Sequence, residues 1–591
     1  VGTVGSASSV VDPAVLASLQ PKARRVVRQI NLREAGIDPS SLGTLGPHVY
    51  PGGDAQINFF SFTPSGSAEL FVADKPLHRA RYPNCDDDQL LIPQNSLKII
   101  KAQHVASPMN GEVNSIDQVN HTRLKAWAAE ILAGGELWAH GEWSALGWAD
   151  THKPVVSVDP TAATVTTVKE STQGEGSSKA GGWFRVYNSI YELDVPGEYI
   201  ITNSSSGDML LLFVPPSGAS STDPLVLSMA TGPIVHAASA FAVEFGGVDI
   251  RVGRGWGAVF DACVGCSVID GTLGNTGINA VNVSGGRNFL LANVVISGTG
   301  QGGGIFDGGD RQTLTPANHT AVNCTIHNFA RIMQKYTPGL CLCGVGHTLR
   351  DSAVFNGAHF GMLLTGNDHV VSDNHFHTLV YGGADAGAIY SGRDWTYRGQ
   401  LIQRNTFENI SSFLCQSGGA RNCMGQAPRA LHSDDGMSGW TVVDNTFINV
   451  TQVHNAYSSR DMTWMHNTIS HVLSAGQPKT NLNPNQLCAI HLDVMSPSCS
   501  TQRRFLTRVP YNCTDCPWTK YPHLADILSD EPNKPKYWRL ENNTYCDVSY
   551  HGVPGALIDG NFDRSTFGVA TDNVNQSTPC AVTARSAYYK K

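Results

Sequence analysis

From about residue 236 onward, the chain carries an imperfect repeat in which apolar residues alternate around an asparagine. Successive copies lie about 20–40 residues apart, which suits coils joined by loops of variable length. Alternation with a period of two indicates strands that bury one face. An asparagine at the same point of each coil can bond its amide to the next coil. The copies are LLANVVISG, TAVNCTIHNF, VVSDNHFHTL, LIQRNTFENI, TVVDNTFINV and WRLENNTYCDV, with asparagines Asn293, Asn323, Asn374, Asn405, Asn445 and Asn543.

The repeat predicts a right-handed parallel β-helix over residues 236–575, because such coils bury their apolar face only against neighbouring coils. Before residue 235 the pattern changes. Residues 10–35 can form one or two short helices, and aromatic-rich strands follow. We therefore predict an all-β chain with an N-terminal β-sandwich-like domain (1–235), the β-helix, and a C-terminal tail (576–591).

Composition excludes several classes of protein. Glycine is abundant, with 60 residues among 591, and charged residues make up only 15% of the chain, which favours strands and turns over long charged helices. The net charge of -8 argues against a nucleic-acid-binding protein, because such proteins are usually basic. The apolar runs are shorter than the 18 or so residues of a membrane span.

Cysteines and glycosylation sequons point to an exported glycoprotein. The chain has 14 cysteines and begins at Val1, so we expect a secreted protein whose signal peptide has been removed. We expect disulfides rather than a split zinc site, with Cys415–Cys423 and Cys513–Cys516 as local candidates and Cys263 and Cys266 as further ones. The N-x-[ST] sequons are at Asn120, Asn203, Asn282, Asn318, Asn323, Asn409, Asn449, Asn512, Asn542 and Asn575.

One segment concentrates charge and aromatic rings on a glycine-rich background. Residues 383–399 read GADAGAIYSGRDWTYRG and include Asp385, Arg393 and Asp394. About 40 residues later, LHSDDGMSG brings Asp434 and Asp435, a distance that fits one coil plus a loop. Residues on adjacent coils lie about 4.8 Å apart along the axis, so carboxylates of neighbouring coils can face one another. If both Asp434 and Asp435 lie in a strand, only one of them can face a groove.

Five stretches together resemble carbohydrate-active parallel β-helix proteins, closest to glycoside hydrolase family 141. They are ELFVADKPLHRARYPN, YNSIYELDVPGEYIITNSSSGDMLLLFVPP, GNDHVVSDNHFHTLVYGGADAGAIYSGRDWTYRG, DDGMSGWTVVDNTFINV and CPWTKYPHLADILSDEPNKP, in the family's order. The resemblance implies a β-helix with a β-sandwich-like domain. It also implies that Asp394 and Asp435 (or Asp434) form a catalytic pair.

Further residues are candidates for contacting a sugar. Arg393 and Arg398 can grip hydroxyl or carboxylate groups through a planar fork, and aromatic faces can stack on sugar rings. Structural roles, such as turn capping by Asp394, compete with these functions. The candidate substrate-binding set is Arg393, Arg398, Tyr390, Trp395, Trp440, Asp385, His432, Arg460, Asp461, His491 and Asp493. We expect His359, His369, His375 and His377 to be structural rather than metal ligands.

Three functions remain open at this point. The first is a secreted glycoside hydrolase that acts on a cell-wall or extracellular glycan with two carboxylates and no metal or other cofactor. The second is a non-catalytic extracellular structural or carbohydrate-binding glycoprotein, because NAYSSRD and LDVMSPS depart from the family's glycine-rich pattern. The third is a polysaccharide lyase, for which Lys335 and Lys479 are the lysines available between residues 236 and 480. The expected partner is a carbohydrate, with self-association or matrix contacts also open.

Overall fold

The computed structural model describes residues 1–43, 67–84, 90–105, 111–117, 119–144, 146–168, 177–416, 427–473, 488–495, 498–550, 553–554, 556–560 and 563–576. Strands dominate. Its α-helices are Pro13–Ser18, His121–Leu132, Phe413–Gln416, Ser500–Leu506 and Arg564–Phe567. Its 3-10 helices are Val4–Ser6, Pro39–Leu42, Pro93–Asn95, Ile190–Glu192, Pro517–Lys520 and Ile527–Ser529. Within these ranges no helix is both long and apolar enough to cross a membrane.

Three long parallel sheets wind into a β-helix, as the repeat predicts, and parallel crossovers of this kind are right-handed. The first sheet comprises Val235–Ala238, Ala258–Asp261, Val281–Ser284, Gly304–Gly308, Leu340–Val345, Met362–Asn367, Gly387–Gly392, Arg429–Asp434, Gln452–Tyr457, Cys488–Asp493 and Ala556–Gly560. The second comprises Glu244–Gly246, Ser267–Ile269, Leu290–Ala292, Thr320–Val322, Thr348–Arg350, Val370–Ser372, Gln400–Gln403, Trp440–Val443, Thr463–Met465, Trp538–Glu541 and Gly568–Thr571. The third comprises Asp249–Arg251, Thr272–Gly274, Val295–Ser297, Thr325–His327, Ala353–Gly357, His375–Leu379, Thr406–Ile410, Thr446–Val450, Thr468–Leu473, Thr544–Tyr550 and Val574–Asn575. The short strand Val553–Pro554 pairs with Thr544–Tyr550 in the antiparallel direction.

A ladder of buried asparagines runs along the inside of the β-helix. Each side-chain amide donates to the side-chain carbonyl of the next coil's asparagine at 2.9–3.1 Å, so buried amides bond to one another. The row ends at the half-buried Asn573, which donates to the carbonyl of Leu540. The members are Asn374, Asn405, Asn445, Asn467, Asn543 and Asn573. The ladder predicted for Asn374, Asn405, Asn445 and Asn543 is confirmed.

Two of the repeat asparagines were assigned to the wrong row. Asn293 and Asn323 are exposed corner residues in left-handed conformation, with φ of 56° and 51°, and Asn323 donates to Asn293 at 2.7 Å on the surface. The inward position is the following residue. In the coil of Asn323 it is occupied by Cys324, whose N–H donates to Ser352 at 3.0 Å.

Histidines and aromatic rings form further rows inside the helix. The backbone N–H groups of Phe289, His319 and His347 donate to the Nδ1 atoms of His319, His347 and His369 at 3.1–3.3 Å. Phe376, Phe407 and Phe447 stack with ring centroids 5.1 and 4.9 Å apart. Burial and these bonds give His369 a structural position, as expected. Among the described residues, no group of three or more His, Cys, Asp or Glu side chains is placed to hold a metal ion.

The N-terminal region contains the predicted sandwich. A four-stranded sheet (Gly2–Thr3, Pro224–Leu227, Leu70–Val72, Lys75–Pro76) faces a five-stranded sheet (Ser8–Ser9, Arg28–Asn31, Met209–Phe213, Glu198–Asn203, His78–Arg79). Leu70, Leu211 and Phe213 are fully buried between them. Of the short helices expected in residues 10–35, one forms at Pro13–Ser18, and Asp12 caps it by accepting from Ala14 and Val15.

An antiparallel barrel, which the sequence did not reveal, is inserted into this sandwich. Its strands are Leu97–Val105, Gly111–Ile116, Trp138–Glu142, Thr151–Asp159, Thr164–Val168 and Trp183–Tyr187, with Arg81–Tyr82 paired outside. The barrel closes because Trp138–Glu142 pairs with both Thr151–Asp159 and Trp183–Tyr187. Trp127 of the helix His121–Leu132 is buried in the barrel's hydrophobic core.

Of the cysteine predictions, one is confirmed, one is wrong and one stays a prediction. Cys513 and Cys516 are disulfide-bonded, as predicted, and Cys341–Cys343 is a second disulfide that the sequence did not suggest. The prediction for Cys263 and Cys266 is wrong, because both are buried free thiols. They donate to the carbonyls of Ala237 and Ala240 in the preceding coil, at 3.4 and 3.6 Å. The predicted partner Cys423 lies outside the described residues, so the Cys415–Cys423 bridge stays a prediction.

One sequon cannot accept a glycan in the folded chain. Asn282 lies within the strand Val281–Ser284 and is only 5% exposed. Asn449 is half-buried. The exposed sequon asparagines are Asn120, Asn203, Asn318, Asn323, Asn409, Asn512, Asn542 and Asn575.

Candidate active site

A cluster of charged and aromatic side chains lies on the outer face of the first parallel sheet. Tyr390 pairs in register with His432, and Gly392 pairs with Asp434. Because successive side chains of a strand point to opposite faces, Leu431 enters the core while His432 and Asp434 point outward. The alternation of the strand Arg429–Asp434 therefore sets which polar groups reach this face.

Asp434 and Asp435 both belong to this cluster, because the condition under which only one of them could face the groove, that both lie in a strand, is not met. Asp434 ends its strand, but Asp435 has left it, in left-handed conformation with φ of 44°. Gly436 follows with φ of 87°, and a Cβ at this position would lie 2.6 Å from Nε1 of Trp395. A glycine is therefore required at the turn that presents Asp435.

Opposite pKa shifts separate these two carboxyl groups. The negative charge of Asp434, followed by burial, raises the pKa of Asp435 to about 7. Burial pushes the pKa of Asp434 upward too, but His432, Tyr390 and Arg393 outweigh it and hold that pKa low, at about 2. Near neutral pH, Asp434 is ionised while Asp435 keeps its proton for a large fraction of the time. Carboxyl groups whose pKa values are driven apart are typical of acid and base partners.

Each carboxylate has a defined partner. Tyr390 donates its hydroxyl to Asp434 at 2.8 Å, and Arg393 donates Nε to Asp435 at 3.1 Å from the preceding coil. The side chain of Asp434 is 17% exposed and that of Asp435 is 40% exposed. Both groups are thus held in place and remain open to solvent.

A third carboxylate, Asp385, lies across the imidazole of His432. Its Oδ1 accepts from Arg429 at 2.7 Å. This Oδ1 is 4.0 Å from His432 Nε2, and Asp434 Oδ1 is 3.6 Å from the same nitrogen. The carboxylate oxygens of Asp385 and Asp434 are therefore at most about 7.6 Å apart, on either side of the imidazole.

Later coils extend the same outer face. His491 continues the row of Tyr390 and His432 through Asn455, and Asp493 pairs with Tyr457. His491 and Asp493 are half-buried. The structure therefore brings Arg393, Asp385, His491 and Asp493 to one face with Asp434 and Asp435. Tyr390 and His432 lie in the same rows but are only 1% and 0% exposed, so their prediction as sugar-contacting residues is wrong, and they act on this face through their contacts with Asp434.

Sequence reasoning missed several residues of this cluster. Arg429, which is 1% exposed, stands five residues before Asp434 in the same strand, so its proximity to the DD pair was the available signal. Tyr336 comes from an earlier coil and packs edge-on against Tyr390, with ring centroids 6.4 Å apart. Trp148, from the N-terminal region, packs against Tyr336 at 5.8 Å. No local pattern marks these two aromatic residues.

Asp394, predicted as one of the catalytic pair, is buried. It is 1% exposed, and its Oδ1 accepts from both the N–H and the hydroxyl of Thr396, at 2.9 and 2.5 Å. Arg311 Nη1 lies 3.8 Å from its other oxygen. These contacts make Asp394 the cap of an inward turn, so the prediction that it faces the groove is wrong.

Arg398, Arg460 and Asp461 are also engaged elsewhere. Arg398 is 1% exposed and forms an ion pair with Asp461, which His523 contacts from the other side at 2.5 Å. Arg460 is fully buried against Asp530 and donates to its backbone carbonyl at 2.6 Å. Arg398 is thus neutralised by Asp461, and Arg460 by Asp530. The prediction that Arg398, Arg460 and Asp461 bind substrate is therefore wrong.

The predicted sugar-stacking tryptophans lie inside the protein. Trp395 and Trp440 are both 0% exposed. Trp440 belongs to the β-helix core, and Trp395 packs with Trp518 and Leu524 in a separate cluster. Without an exposed ring face neither can stack on a sugar, so both assignments are wrong.

Lys335, a candidate base for elimination, is buried as well. It is 2% exposed and donates to the carbonyl of Gly382, and it interacts electrostatically with Asp150 and Glu142. Desolvation lowers its pKa, although these acids oppose the shift. Lys479 lies outside the described residues. Lys335 is therefore not on the groove face, which weakens the lyase alternative.

Comparisons with known proteins give structural likeness only. No family model matches the sequence, and no curated protein matches it. A solved structure named "Glycoside hydrolase" is 12% identical over 69% of this chain and 78% of its own, with a TM-score of 0.51. A xylose complex of XylC (8% identity, 91% of this chain and 73% of that one, TM-score 0.39) is more distant. So is a GH87 alpha-1,3-glucanase from Streptomyces thermodiastaticus (10% identity, 97% and 96%, TM-score 0.31).

At such low identity these likenesses concern the fold alone. The TM-score of 0.51 agrees with the three parallel sheets, and the specific resemblance to family 141 stays a prediction. This chain has the parallel β-helix fold that a solved glycoside hydrolase also has.

Proposed function

We propose that this chain is a glycoside hydrolase whose active site is the cluster of Asp385, Asp434 and Asp435 on the outer face of the first sheet. The single observation that carries the proposal is the pair Asp434–Asp435. Two adjacent, solvent-accessible carboxyl groups have pKa values of about 2 and about 7. A glycosidic bond is cleaved by one carboxylic acid and one carboxylate, so the pair supplies both chemical states at the same pH.

In the proposed mechanism, Asp435 is the general acid. It protonates the glycosidic oxygen as the bond to the leaving sugar breaks. Arg393 orients the carboxyl through its 3.1 Å contact, and the charge of Asp434 keeps the proton on Asp435 until the substrate takes it. General acid catalysis of this kind typically contributes about 10²–10⁴-fold.

Asp434 is the proposed partner that stays ionised. Its carboxylate faces the positive charge that develops at the anomeric carbon, and it acts there directly or through a water molecule. The Tyr390 hydroxyl fixes one carboxylate oxygen at 2.8 Å. Asp385, held by Arg429, is placed to accept hydroxyl groups of the sugar. These carboxyl groups and water complete the hydrolysis without a cofactor.

The proposed substrate is a cell-wall or extracellular glycan, and the proposed location is outside the cell. The eight exposed sequons and the disulfides Cys341–Cys343 and Cys513–Cys516 support export. A non-catalytic carbohydrate-binding glycoprotein is the alternative outcome of the test below.

The test compares release of reducing ends from a panel of plant, algal and microbial glycans by the wild type and three variants. We expect Asp434→Asn and Asp435→Asn to lose activity by about 10²–10⁴-fold. The matched control is Asp444→Asn, because Asp444 is an exposed, left-handed aspartate (φ of 56°) on the second sheet's corner. Activity that survives both active-site changes would refute the assignment, and saturable glycan binding without turnover would favour the non-catalytic alternative.

A further inference from the structure

A short helix from a later segment contacts the turn that presents Asp435. The helix, Ser500–Leu506, lies in the connection between the first-sheet strand Cys488–Asp493 and the second-sheet strand Trp538–Glu541. Gln502 of this helix donates Nε2 to the backbone carbonyl of Asp435 at 3.0 Å. A residue 67 positions away in sequence therefore contacts the main chain of the proposed general acid.

The packing of the helix explains why Gln502 points at this turn. Gln502, Phe505 and Leu506 have the spacing i, i+3, i+4, which puts them on one face of a helix. All three are buried, with exposed fractions of 6%, 4% and 2%. Leu506 belongs to the hydrophobic cluster of Trp395 and Trp518, so apolar contacts fix the helix and direct Gln502 toward Asp435.

Other bonds keep this segment docked independently of Gln502. Trp518 donates Nε1 to the carbonyl of Arg311 at 3.0 Å. Arg398 donates Nη1 to the carbonyl of Pro522 at 3.2 Å. Loss of the Gln502 amide would therefore free the carbonyl of Asp435 while the segment stays in place.

The main chain of Asp435 is in a conformation that needs support. Its φ of 44° lies in the left-handed region, which a residue other than glycine keeps only where its surroundings hold it. On one side, the N–H of Arg393 donates to the carbonyl of Asp434 at 3.3 Å. On the other, the N–H of Gly436 donates to the carbonyl of Tyr457 at 2.7 Å. The bond from Gln502 holds the carbonyl of Asp435 itself, between these two points.

The carboxyl group of Asp435 depends on this backbone conformation. The charge of Asp434 is the largest cause of its raised pKa, so the two carboxyl groups must stay close together. The charged and titratable groups that face Asp435 are Asp434, Asp385, Arg393, Tyr336 and Tyr390. The charges of the helix are exposed: Arg503 donates to the carbonyl of Ser498, and Arg504 lies over the ring of Phe505. A change of φ at Asp435 would carry its carboxyl away from Asp434 and lower the pKa of Asp435 toward its ordinary value.

We infer that Gln502 is a positioning residue for Asp435, which keeps the carboxyl beside Asp434 by holding the main-chain carbonyl of the turn. The effect on rate rests on the proposed hydrolysis, whereas the effect on the carboxyl can be measured without any activity. The net contribution of one hydrogen bond between neutral groups corresponds to about tenfold in rate at most.

The test is Gln502→Met, which removes the N–H donor and nearly keeps the volume. We expect kcat on natural oligosaccharides to fall about tenfold while KM stays within about twofold, because only the general acid is displaced. The alkaline limb of the pH–rate profile should move to lower pH. The matched control is Gln312→Met. Gln312 also donates Nε2 to a carbonyl of the later segment, that of Arg508 at 2.7 Å, and this bond does not involve Asp435.

A second measurement does not need turnover. A water-soluble carbodiimide modifies protonated carboxyl groups, so the pH dependence of Asp435 labelling, followed by peptide mass spectrometry, reports the pKa of Asp435. We expect its midpoint to be lower in Gln502→Met than in wild type and unchanged in Gln312→Met. Gln502→Asn, which keeps an amide but is one methylene too short, should shift the midpoint in the same direction and guards against misfolding of the Met variant. Circular dichroism checks the fold of each variant.

The outcomes separate this inference from the proposed function. A shifted midpoint in a chain that hydrolyses no glycan would support the positioning role of Gln502 and refute the hydrolase. An unchanged midpoint in folded Gln502→Met and Gln502→Asn would overturn the inference, whatever the activity. Equal losses of kcat in Gln312→Met and Gln502→Met would also overturn it, because docking of the segment would then account for both.

Discussion

Arg393 donates its Nε to Asp435 across neighbouring coils of the β-helix, at 3.1 Å, and both residues are in left-handed backbone conformation. The contact joins two corners of successive turns on one face. It lowers the pKa of Asp435, whereas the charge of Asp434 raises it. The balance of these charges sets the pH at which Asp435 loses its proton.

The pH dependence of hydrolysis should therefore follow Asp435. A general acid must be protonated, so kcat/KM should fall as pH rises through about 7. Arg393→Gln removes a charge that lowers this pKa and should shift the alkaline limb to higher pH. Arg404→Gln, which removes an exposed arginine paired with Asp373, is the control, and pH–rate profiles on one soluble substrate give the measurement. A limb that stays in place or moves to lower pH in Arg393→Gln would contradict the role of Asp435.

Asp394 should matter for stability and not for chemistry. Asp394→Ala leaves the Thr396 N–H and hydroxyl without their buried acceptor, which should cost about 1–3 kcal/mol of unfolding free energy. The activity of the folded variant at low temperature should stay within a few-fold of wild type. Denaturant unfolding and initial rates measure the two effects. A stable variant with activity lost by orders of magnitude would restore Asp394 to the active site.

The asparagine ladder should contribute strongly to stability. Asn405→Ala removes the acceptor of Asn374 and the donor to Asn445, so buried polar groups on two coils lose a partner. We expect a loss of about 1–3 kcal/mol in denaturant unfolding. Gln403→Ala, a half-buried position on the same coil, is the matched control and should change stability much less. Equal effects of the two substitutions would count against the ladder.

The β-helix could be predicted from the sequence because each coil has the same pattern of alternating apolar residues, which bury one face, and an asparagine whose amide bonds to the next coil. The ladder of Asn374, Asn405 and Asn445 follows directly from that repeat. Asn293 and Asn323 show the limit, since a shift of one residue moves a side chain from the inner row to the surface. The barrel was missed because its closure depends on Trp138–Glu142 pairing with Trp183–Tyr187, a strand that is distant in sequence, as well as with the neighbouring strand Thr151–Asp159.

The candidate site was predicted only in part, because the repeat gives the order of the coils but not the direction of each side chain. The spacing of about 40 residues predicted that Asp434 and Asp435 lie one coil after the segment 383–399, and Gly392 does pair with Asp434 while Arg393 contacts Asp435. Asp394 differs from Arg393 by one position, yet it turns inward to cap Thr396 while Arg393 reaches the next coil. Tyr336 and Trp148 come from distant segments and are brought to the cluster only by the folded chain.

Cysteine chemistry gives a check that does not depend on function. Digestion without reduction should yield single peptides that carry internal bridges, one between Cys513 and Cys516 and one between Cys341 and Cys343. Cys263 and Cys266 should react with an alkylating reagent only after denaturation, because both thiols are buried. Mass spectrometry of the peptides measures both. A bridge between Cys263 and Cys266 would show that this corner of the helix is built differently.

The most direct test of the central claim is the leaving-group dependence of Asp435→Asn. A general acid is needed when the leaving oxygen is basic and is dispensable when it is not. We predict that Asp435→Asn loses about 10²–10⁴-fold in kcat/KM on natural oligosaccharides and little on dinitrophenyl glycosides of the same sugar. Asp434→Asn should be impaired on both. Equal loss on both substrates by Asp435→Asn, or activity unaffected on either, would contradict the assignment of Asp435 as the acid.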